Sequence, residues 1–387
     1  MRDAVIVEAV RTPIGKRRGA LRNVHPVDLS AQILTSLVER AGVEPVRIDD
    51  VIWGCVMQTS EQAGNIGRNA VLAAGWPEDV PATTIDRQCG SSQQSAHFAA
   101  AGVMSGQYDL VIAGGVESMT RVPMGSARGT GGSPWTGWAR ERYGVDGFNQ
   151  GIGAEMLAER WKISRERADE ISMESHRRAA EASDGGRFKG QIAPVKAADD
   201  DGNVGVVEVD EGFRRETSAE KMAALKPAFS DDGIVTAGNS SQISDGAAAL
   251  LITTSELAGK LGLRPLARFH SFSLAGVDPV SMLTGPIPAT RKVLEKAGLS
   301  VDDIGAFEVN EAFATVIAAW LAEIGAPAEK VNPNGGAIAI GHPLGASGAR
   351  LMTTLVHHMV DNGIRYGLQT MCEGGGMANG TILELVK

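Results

Sequence analysis

One cysteine stands at the start of a predicted helix, within residues 83–97. Cys89 is followed by Gly90, two serines and an alanine-rich stretch. A thiol at a helix N-terminus meets the positive end of the helix dipole and free backbone N–H groups, which favour the thiolate. The same N–H groups could hold an oxyanion. Cys89 is therefore a candidate nucleophile, although a buried cysteine before a helix also serves as a small apolar residue.

A histidine and a second cysteine lie in glycine-rich segments near the end of the chain. His342 stands between Gly341 and Pro343 in a loop that holds five glycines. This setting favours a positioned base over a histidine that only completes a turn. Cys372 ends a predicted strand and precedes three glycines, which allow a substrate to approach main-chain N–H groups. Two thiols and a histidine would supply a nucleophile and a separate acid or base.

The remaining polar candidates are weaker. Asn310 ends another predicted strand and could hold a water, although a lone asparagine there is more often a helix cap. Cys55 lies in an apolar run, where we expect it to pack. His357 and His358 are adjacent, so their side chains diverge on a helix, and no metal site is predicted. Neither a Walker phosphate loop nor a dinucleotide-binding glycine pattern is present.

Strands and helices must position these residues. Short β-branched runs alternate with helix-length segments, which predicts βαβ units and a layered α/β fold. Cys89 and His342 each precede one of the predicted helices. The strands are predicted at 3–9, 51–56, 109–113, 306–309 and 367–371, and the helices at 29–41, 91–104, 289–297 and 347–360.

The two ends of the chain resemble each other. The helix end, glycine, paired aspartates and strand start at 37–51 recur at 293–304. At the paired aspartates the offset is 302 − 49 = 253, which brings Cys89 onto His342. A repeat of this long period indicates a duplicated α/β unit rather than a solenoid. The alternative is chance, because this order of elements is common in α/β proteins.

The middle of the chain, from about 121 to 241, has a different composition. It is rich in Gly, Pro, Ser and charged residues, and it contains Trp135 and Trp138. An Asp-rich segment at 199–203 predicts a hairpin turn between two short strands. We therefore expect a large insertion in the first half, with the chain returning to that half at 245.

Composition excludes several classes of protein. The chain of 387 residues has a net charge of −9 and no stripe of Lys and Arg, so no nucleic-acid partner is expected. Its three cysteines argue against a disulfide framework and indicate a reducing compartment. No apolar stretch approaches the ~20 residues of a membrane span. Glu8 interrupts what would have to be the apolar part of a signal peptide. We expect a cytoplasmic protein with no membrane partner.

Together these segments resemble the thiolase family over essentially the whole chain. One matching motif would only be suggestive, whereas all of them in order are highly specific. The matching segments are 5–15, the Cys89 segment, 237–241, 285–288, 310–313, 341–343 and 372–374.

The resemblance implies an α/β fold in which duplicated βαβαβ halves form a five-layered α-β-α-β-α core. It also implies an inserted loop domain that binds coenzyme A. On this basis residues 1–118 and 245–268 form the N-terminal half, 119–244 the insertion and 269–387 the C-terminal half. Thiolases are usually dimers or tetramers, so we expect a homodimer or homotetramer.

The resemblance implies a role for each site residue. Cys89 would attack the 3-keto carbon of a 3-oxoacyl-CoA and form an acyl thioester. His342 would take the Cys89 proton and help to stabilise the thioester enolate, with a water held by Asn310. Cys372 would protonate the departing acetyl-CoA enolate. A second oxyanion hole would use the backbone N–H groups of Cys89 and Gly374.

Coenzyme A and acyl-CoA are expected as substrates, with no permanently bound cofactor. Ser241 and Phe229 match positions of the family's loop domain that contact the pantetheine of CoA. Free CoA would release the acyl group from the enzyme, so ping-pong kinetics are expected.

Two residues depart from the family pattern. Asn149 occupies a position where biosynthetic acetoacetyl-CoA thiolases usually carry histidine. This favours a degradative 3-oxoacyl-CoA thiolase of lipid or sterol side-chain β-oxidation. Ser92 stands where many relatives carry glycine, and its side chain could narrow the approach to Cys89 or have no effect.

Three alternatives remain at this point. The first is a biosynthetic thiolase that condenses two acetyl-CoA molecules. The second is a decarboxylating ketosynthase of the same superfamily, but those enzymes pair cysteine with two histidines, and Asn310 stands in place of the second one here. The third is a catalytically silent relative that binds acyl-CoA or lipid. Silent relatives tend to lose the Cys-x-Gly-Gly segment, which is intact here at Cys372.

Overall fold

Strands and helices alternate along the chain, as the sequence pattern predicts. The computed structural model describes residues 2–128 and 132–386. The strands are β1 (Val5–Arg11), β2 (Gly15–Lys16), β3 (Asp50–Gly54), β4 (Ala82–Ile85), β5 (Leu110–Ser118), β6 (Val195–Ala198), β7 (Val204–Val207), β8 (Ser244–Thr253), β9 (Ala267–Gly276), β10 (Ala306–Val309), β11 (Tyr366–Glu373) and β12 (Met377–Leu385). The helices are α1 (Pro26–Ala41), α2 (Ile66–Ala73), α3 (Ser91–Ser105), α4 (Gly137–Tyr143), α5 (Gln150–Trp161), α6 (Arg165–Asp184), α7 (Ala219–Ala223), α8 (Ser255–Leu261), α9 (Pro286–Ala297), α10 (Ala314–Ile324) and α11 (Ser347–Asn362).

Every strand and helix predicted above is present; the strand at 306–309 has the predicted ends, and the others have shifted ends. The helix predicted at 289–297 begins earlier, at Pro286, because the missing N–H of proline is no loss at the first helical position. The strand predicted at 109–113 continues to Ser118, because its last residues still pair with β8. These shifts change the ends of elements and leave their order as predicted.

The two halves of the sheet repeat one strand order. The first half has the order β3-β5-β8-β1, and the second has β10-β11-β12-β9. In each half the first pair is parallel and the next two pairs are antiparallel. β4 extends the first half, and its counterpart in the second half is a bridge between Phe307 and Val331. The duplication inferred from the offset of 253 residues is thereby confirmed.

Helices cover the outer faces of both halves and fill the space between them. α1 and α2 pack on the outer face of the first half. α3 and α11 pack on its inner face and on each other. α9 and α10 cover the outer face of the second half. The order of layers is therefore α-β-α-β-α. Among the described residues, no helix combines the length and apolar character that a membrane span requires.

Between β5 and β8 the chain leaves the sheet and forms α4 to α7 and a hairpin. β6 and β7 are antiparallel, with Val195 opposite Val207, so the predicted hairpin is confirmed. Asp199 Oδ1 accepts the N–H groups of Asp201 and Asn203, both at 2.9 Å, within its turn. α5 and α6 pack against α10 of the second half. This segment between β5 and β8, called the excursion from here on, is inserted in the first half and therefore also contacts the second half.

A buried ion pair attaches this excursion to the sheet. Nη1 and Nη2 of Arg11, on β1, lie 2.7 and 2.8 Å from the two carboxylate oxygens of Asp210. Both side chains are fully buried. Asp210 also accepts the N–H of Ile14 at 2.8 Å, so its carboxylate is well satisfied. Removal of either charge would leave the other buried without a partner.

Candidate active site

Two neighbouring strands bring an amide and a thiol to one edge of the sheet. Cys372 lies near the end of β11, and Asn310 directly follows β10, the parallel neighbour of β11. The N–H of Asn310 donates to the carbonyl of Thr370 at 3.0 Å, which holds the two strand ends side by side. Both side chains are buried. This edge is therefore shielded from water.

His342 reaches the same edge from the loop before α11. Its Nε2 lies 3.4 Å from Nδ2 of Asn310, and its Nδ1 lies 2.6 Å from Oγ of Ser347. Ser347 donates its single hydroxyl proton to the carbonyl of Pro343 at 2.8 Å. We assign the ring proton to Nδ1 for this reason, which leaves a lone pair on Nε2. Burial, aided by the charge of Arg350, lowers the pKa of His342 to about 3, so the ring is neutral.

A buried carboxylate anchors the loop of His342 to the first half. Glu117, at the end of β5, accepts the N–H of Gly345 at 2.9 Å and that of Val56 at 3.0 Å. A Cβ at position 345 would lie 2.4 Å from the carbonyl oxygen of Val116. Only glycine allows this approach of backbone to backbone. The glycines around His342 therefore serve the packing between the two halves.

Cys89 lies in a tight turn before α3. Gln88 has a φ of 49°, in the left-handed region that residues with side chains rarely adopt. This turn places a buried thiol in front of the helix, where the backbone of Gly374 and the side chain of Gln150 lower its pKa. Glu373, which follows Cys372, contacts Gly90, which follows Cys89, and a charge on Cys89 raises the pKa of Cys372. The structure thus brings the predicted thiols together.

At Cys89, burial raises the pKa of the thiol by more than the hydrogen bonds at the start of the helix lower it. Burial, followed by the charge of Glu373, raises the pKa of the Cys89 thiol to about 12 despite hydrogen bonds that lower it. Burial, followed by the charge of Cys89, raises the pKa of Cys372 as well. The expectation that the helix N-terminus favours a thiolate is therefore wrong for the resting protein. Such a thiol reacts when a base removes its proton during the attack.

No hydrogen bond joins Cys89 to His342 in the part of the chain that the structure describes. Contacts of this kind are often long before a substrate binds and shorten in the reacting complex. Asn310 links His342 to the strand of Cys372, because it contacts the ring of His342 and its N–H donates to the carbonyl of Thr370. The roles of nucleophile, base and acid remain predictions.

Asn149 caps a helix. Its Oδ1 accepts the N–H groups of Gly151 and Ile152 at 2.9 and 3.3 Å, which starts α5. Gln150 is consequently the first residue of α5; its side chain lies near Gly374 and lowers the pKa of Cys89. Asn149 was singled out from the sequence, whereas Gln150 was not. The available signal was an asparagine two residues before a glycine, which predicts a cap and hence a defined first helical residue.

Ser92 joins the two central helices. Its Oγ accepts the N–H of Ala349 at 2.9 Å, which links the first turn of α3 to that of α11. The side chain is fully buried. Its hydroxyl is therefore engaged in helix packing, and the suggestion that it narrows the approach to Cys89 is replaced by this structural role.

Residues 4–256 match the family model "Thiolase, N-terminal domain", and residues 263–385 match "Thiolase, C-terminal domain". The chain belongs to the thiolase family. The α/β fold and the acyltransferase class that the motifs implied are thereby confirmed.

Relatives of this thiolase are similar over their full lengths. The chain is 50% identical to the steroid 3-ketoacyl-CoA thiolase FadA6 of Mycobacterium tuberculosis, across 99% of this chain and 94% of that protein. It is 46% identical to the 3-ketoacyl-CoA thiolase FadA of Escherichia coli K12, across 100% of both. The acetyl-CoA acetyltransferase of Bacillus anthracis has the same fold, with a TM-score of 0.92, 40% identity and coverage of 100% and 99%.

Phe229 and Ser241 lie beside the segment that follows β10 in this thiolase. The ring of Phe229 packs edge-to-face on Phe313 at 6.0 Å. A Cβ at Gly151 would lie 2.1 Å from the Phe229 ring, so the ring rests directly on the start of α5. The N–H of Ser241 donates to the carbonyl of Ala312 at 2.9 Å. Contact of either residue with CoA remains a prediction.

A basic cavity of about 400 Å³ opens in the excursion between β5 and β8. Three of its lining side chains are cations, which are the usual partners of a phosphate group. Arg215 is paired with Asp184, and Lys221 donates to the carbonyl of Glu216 at 2.7 Å. The sequence analysis missed this cavity. Its lining consists of Arg214, Arg215, Glu216, Thr217, Lys221, Met222 and Leu225.

Proposed function

We propose that this protein is a degradative thiolase that cleaves 3-oxoacyl-CoA with CoA into acetyl-CoA and a shortened acyl-CoA. The observation that carries the proposal is the meeting of two buried thiols, Cys89 and Cys372, near a neutral histidine. Cleavage of a carbon–carbon bond next to a ketone needs a covalent acyl acceptor and a separate proton donor. One cysteine cannot serve as both at once.

In the proposed acylation, Nε2 of His342 takes the proton of Cys89 while the sulfur attacks the 3-keto carbon. The N–H groups of Cys89 and Gly374 stabilise the resulting alkoxide. The bond between C2 and C3 then breaks, and its electrons form the acetyl-CoA enolate. His342 and a water held by Asn310 stabilise the enolate oxygen. Cys372 donates its proton to C2, which its raised pKa permits because the thiol stays protonated until the enolate forms.

In the proposed second half-reaction, the thiolate of Cys372 accepts the proton of the incoming CoA thiol. The CoA sulfur attacks the acyl thioester, and Cys89 leaves with the proton that His342 had held. Both cysteines and the histidine are thereby restored. CoA and acyl-CoA are substrates here, and ping-pong kinetics follow because acetyl-CoA leaves before CoA enters.

We propose that CoA lies along the excursion between β5 and β8. Its phosphates would bind at Arg214, Arg215 and Lys221, since these cations line one cavity. Its pantetheine would pass Phe229 and Ser241. The division into N-terminal half, insertion and C-terminal half at the predicted boundaries belongs to the same proposal, as do the homodimer or homotetramer and the cytoplasmic location.

The degradative reaction is proposed ahead of the biosynthetic one on two grounds. Asn149 is used as a helix cap where biosynthetic relatives usually carry histidine. The relatives at 46% and 50% identity are named 3-ketoacyl-CoA thiolases. The biosynthetic alternative is supported by the fold neighbour named acetyl-CoA acetyltransferase. The substrate length therefore decides between them.

The test is a series of 3-oxoacyl-CoA substrates of increasing length, including one with a bulky ring, assayed for CoA-dependent cleavage. We expect kcat/KM to be higher for longer or bulkier substrates than for acetoacetyl-CoA. Activity confined to acetoacetyl-CoA would establish the biosynthetic alternative. Absence of cleavage with every substrate would establish the silent relative.

Cysteine variants test the assignment of roles. We expect Cys89→Ala to lose acyl-enzyme formation and about 10⁴-fold or more of kcat. Cys372→Ala should still accept an acyl group from acyl-CoA but lose condensation. Cys55→Ala is the matched control, because Cys55 is buried in the apolar core and should leave turnover nearly unchanged. An acyl adduct found by mass spectrometry on Cys372 or Cys55 would contradict the assignment.

A further inference from the structure

Glu373 is a buried carboxyl that the proposed mechanism does not use. It ends β11 directly after Cys372 and is fully buried. Neither of its oxygens has a hydrogen-bond partner. In the described ranges, no other carboxyl has both oxygens buried and unpartnered, since Asp245 and Glu308 each have only one such oxygen. A carboxyl in this state calls for a functional explanation.

This carboxyl lies against the start of α3. A Cβ at Gly90 would lie 1.9 Å from Oε1 of Glu373, so the glycine backbone is in direct contact with the carboxyl. Gly90 is adjacent to Cys89, and a charge on Glu373 raises the pKa of the Cys89 thiol. It raises the pKa of Cys372 to a lesser degree than burial and Cys89 do. Glu373 is therefore placed where both thiols sense its charge.

Burial is the largest influence on the protonation state of Glu373. It raises the pKa of Glu373 to about 8, while the charge of Arg87 lowers it and that of Asp86 raises it. The guanidinium of Arg87 contacts the sulfur of Met377 at 4.0 Å rather than the carboxyl. The titratable groups facing Glu373 are Asp86, Arg87 and Cys89 from the turn before α3, and Cys372 from β11.

The helix dipole does not reverse this balance. The N-terminus of α3 favours a nearby negative charge. A strong effect would require backbone N–H groups that donate to the carboxyl, and Glu373 accepts no such bond. Burial without hydrogen bonds disfavours the charged form of a carboxyl more than a dipole favours it. The carboxyl is accordingly neutral around pH 7.

We propose that Glu373 is a positioning residue that sets the reactivity of Cys89 through its own charge. While the carboxyl is neutral, the proton of Cys89 can pass to His342. When the carboxyl ionises, its negative charge opposes the forming thiolate and slows the attack. Glu373 itself neither donates nor accepts a proton in the reaction. The inference rests on the proposed role of Cys89 as the nucleophile.

The test is the rate of alkylation of Cys89 by iodoacetamide between about pH 6.5 and pH 10. Mass spectrometry of the separate cysteine peptides distinguishes Cys89 from Cys372 and Cys55. In the wild-type protein the logarithm of the rate should rise with pH, flatten near pH 8 and rise again, because Glu373 ionises there. The assay requires no turnover of acyl-CoA. Failure of the proposed function is therefore distinguishable from failure of this inference.

Three variants separate charge from packing. Glu373→Gln should match the wild-type rate below about pH 7 and exceed it about tenfold above pH 9, because one unit of pKa is a factor of ten. Glu373→Asp keeps the charge and should keep the flattened profile. Glu308→Gln is the matched control, since the pKa of that buried carboxyl is also raised to about 8, but the cation that lowers it most is Arg350, and Glu308 is not among the charges that shift the pKa of Cys89.

Superimposed profiles of Glu373→Gln and the wild type across the whole range would overturn the inference. An equal increase in Glu308→Gln would also overturn it, because the effect would then be general to buried carboxyls. If Glu373→Gln does not fold, the wild-type profile alone decides: a flattening near pH 8 supports the inference, and a straight line refutes it.

Discussion

Burial keeps the reactive groups of this site uncharged before substrate arrives. It raises the pKa of both thiols and lowers that of His342, because a low-dielectric interior disfavours every charged form. Charge therefore has to arise by proton transfer within the site. The reaction consequently depends on the hydrogen bonds that orient each proton as well as on the reactive atoms.

The Nδ1 proton of His342 depends on Ser347. We expect Ser347→Ala to lower kcat about 10- to 100-fold with little change in KM, because the ring then loses the acceptor that keeps the lone pair on Nε2. Steady-state thiolysis and ¹⁵N NMR of the imidazole would measure this. Ser92→Ala is the matched control, since it loses the bond to Ala349 and should lower Tm while kcat stays within about threefold. An unchanged kcat in Ser347→Ala would exclude the orienting role.

Interaction with the side chain of Gln150 lowers the pKa of Cys89. Gln150→Met keeps a similar length and removes the donor, so we expect Cys89 alkylation at one pH to slow about tenfold, as loss of a hydrogen bond to a charged group implies. Ile152→Met, at an exposed position on the same helix, should alkylate at the wild-type rate. Equal rates in all three proteins would show that the contact has no effect on the thiolate.

At the scale of elements, the start of α5 determines where Gln150 lies. We expect Asn149→Ala to lower the free energy of unfolding by about 1 kcal/mol, the usual cost of losing a side-chain cap. It should also reduce kcat/KM, because Gln150 is the next residue. Asn149→Asp keeps an acceptor oxygen and should retain stability. Denaturant unfolding measures the first effect, and a midpoint unchanged in Asn149→Ala would contradict the cap.

The order of the strands and helices was largely predictable from the sequence, whereas the contacts of individual side chains within them were less so. Alternation of strands and helices and the recurrence of 37–51 at 293–304 are patterns of neighbouring residues, so they were read directly from the sequence. Whether Ser92 faces Cys89 or Ala349 depends on how α3 and α11 cross. That geometry arises between residues far apart in the chain, and no local pattern contains it.

At the scale of the whole molecule, one ion pair ties the excursion to the sheet. Asp210→Asn would leave Arg11 charged and buried without its partner, so we expect a loss of about 3–5 kcal/mol in the free energy of unfolding. Denaturant unfolding and limited proteolysis of the excursion would detect it. The exposed pair of Arg177 and Glu181 is the control, and Glu181→Gln should cost about 0.5 kcal/mol or less. A similar small effect in Asp210→Asn would exclude the attachment.

The sequence by itself determined which chemistry to seek. A cysteine before a predicted helix, a cysteine and a histidine in glycine-rich segments, and ordered family motifs are local features that need no coordinates to be recognised. Only the tertiary structure decided whether those groups are protonated. Cys89 rests as a thiol because the fold buries it, and Glu373, 284 residues away by 373 − 89, lies against the adjacent glycine, where its charge raises the pKa of Cys89 further once it ionises. Protonation depends on burial and on neighbours that are distant in sequence, and these exist only once the chain has folded.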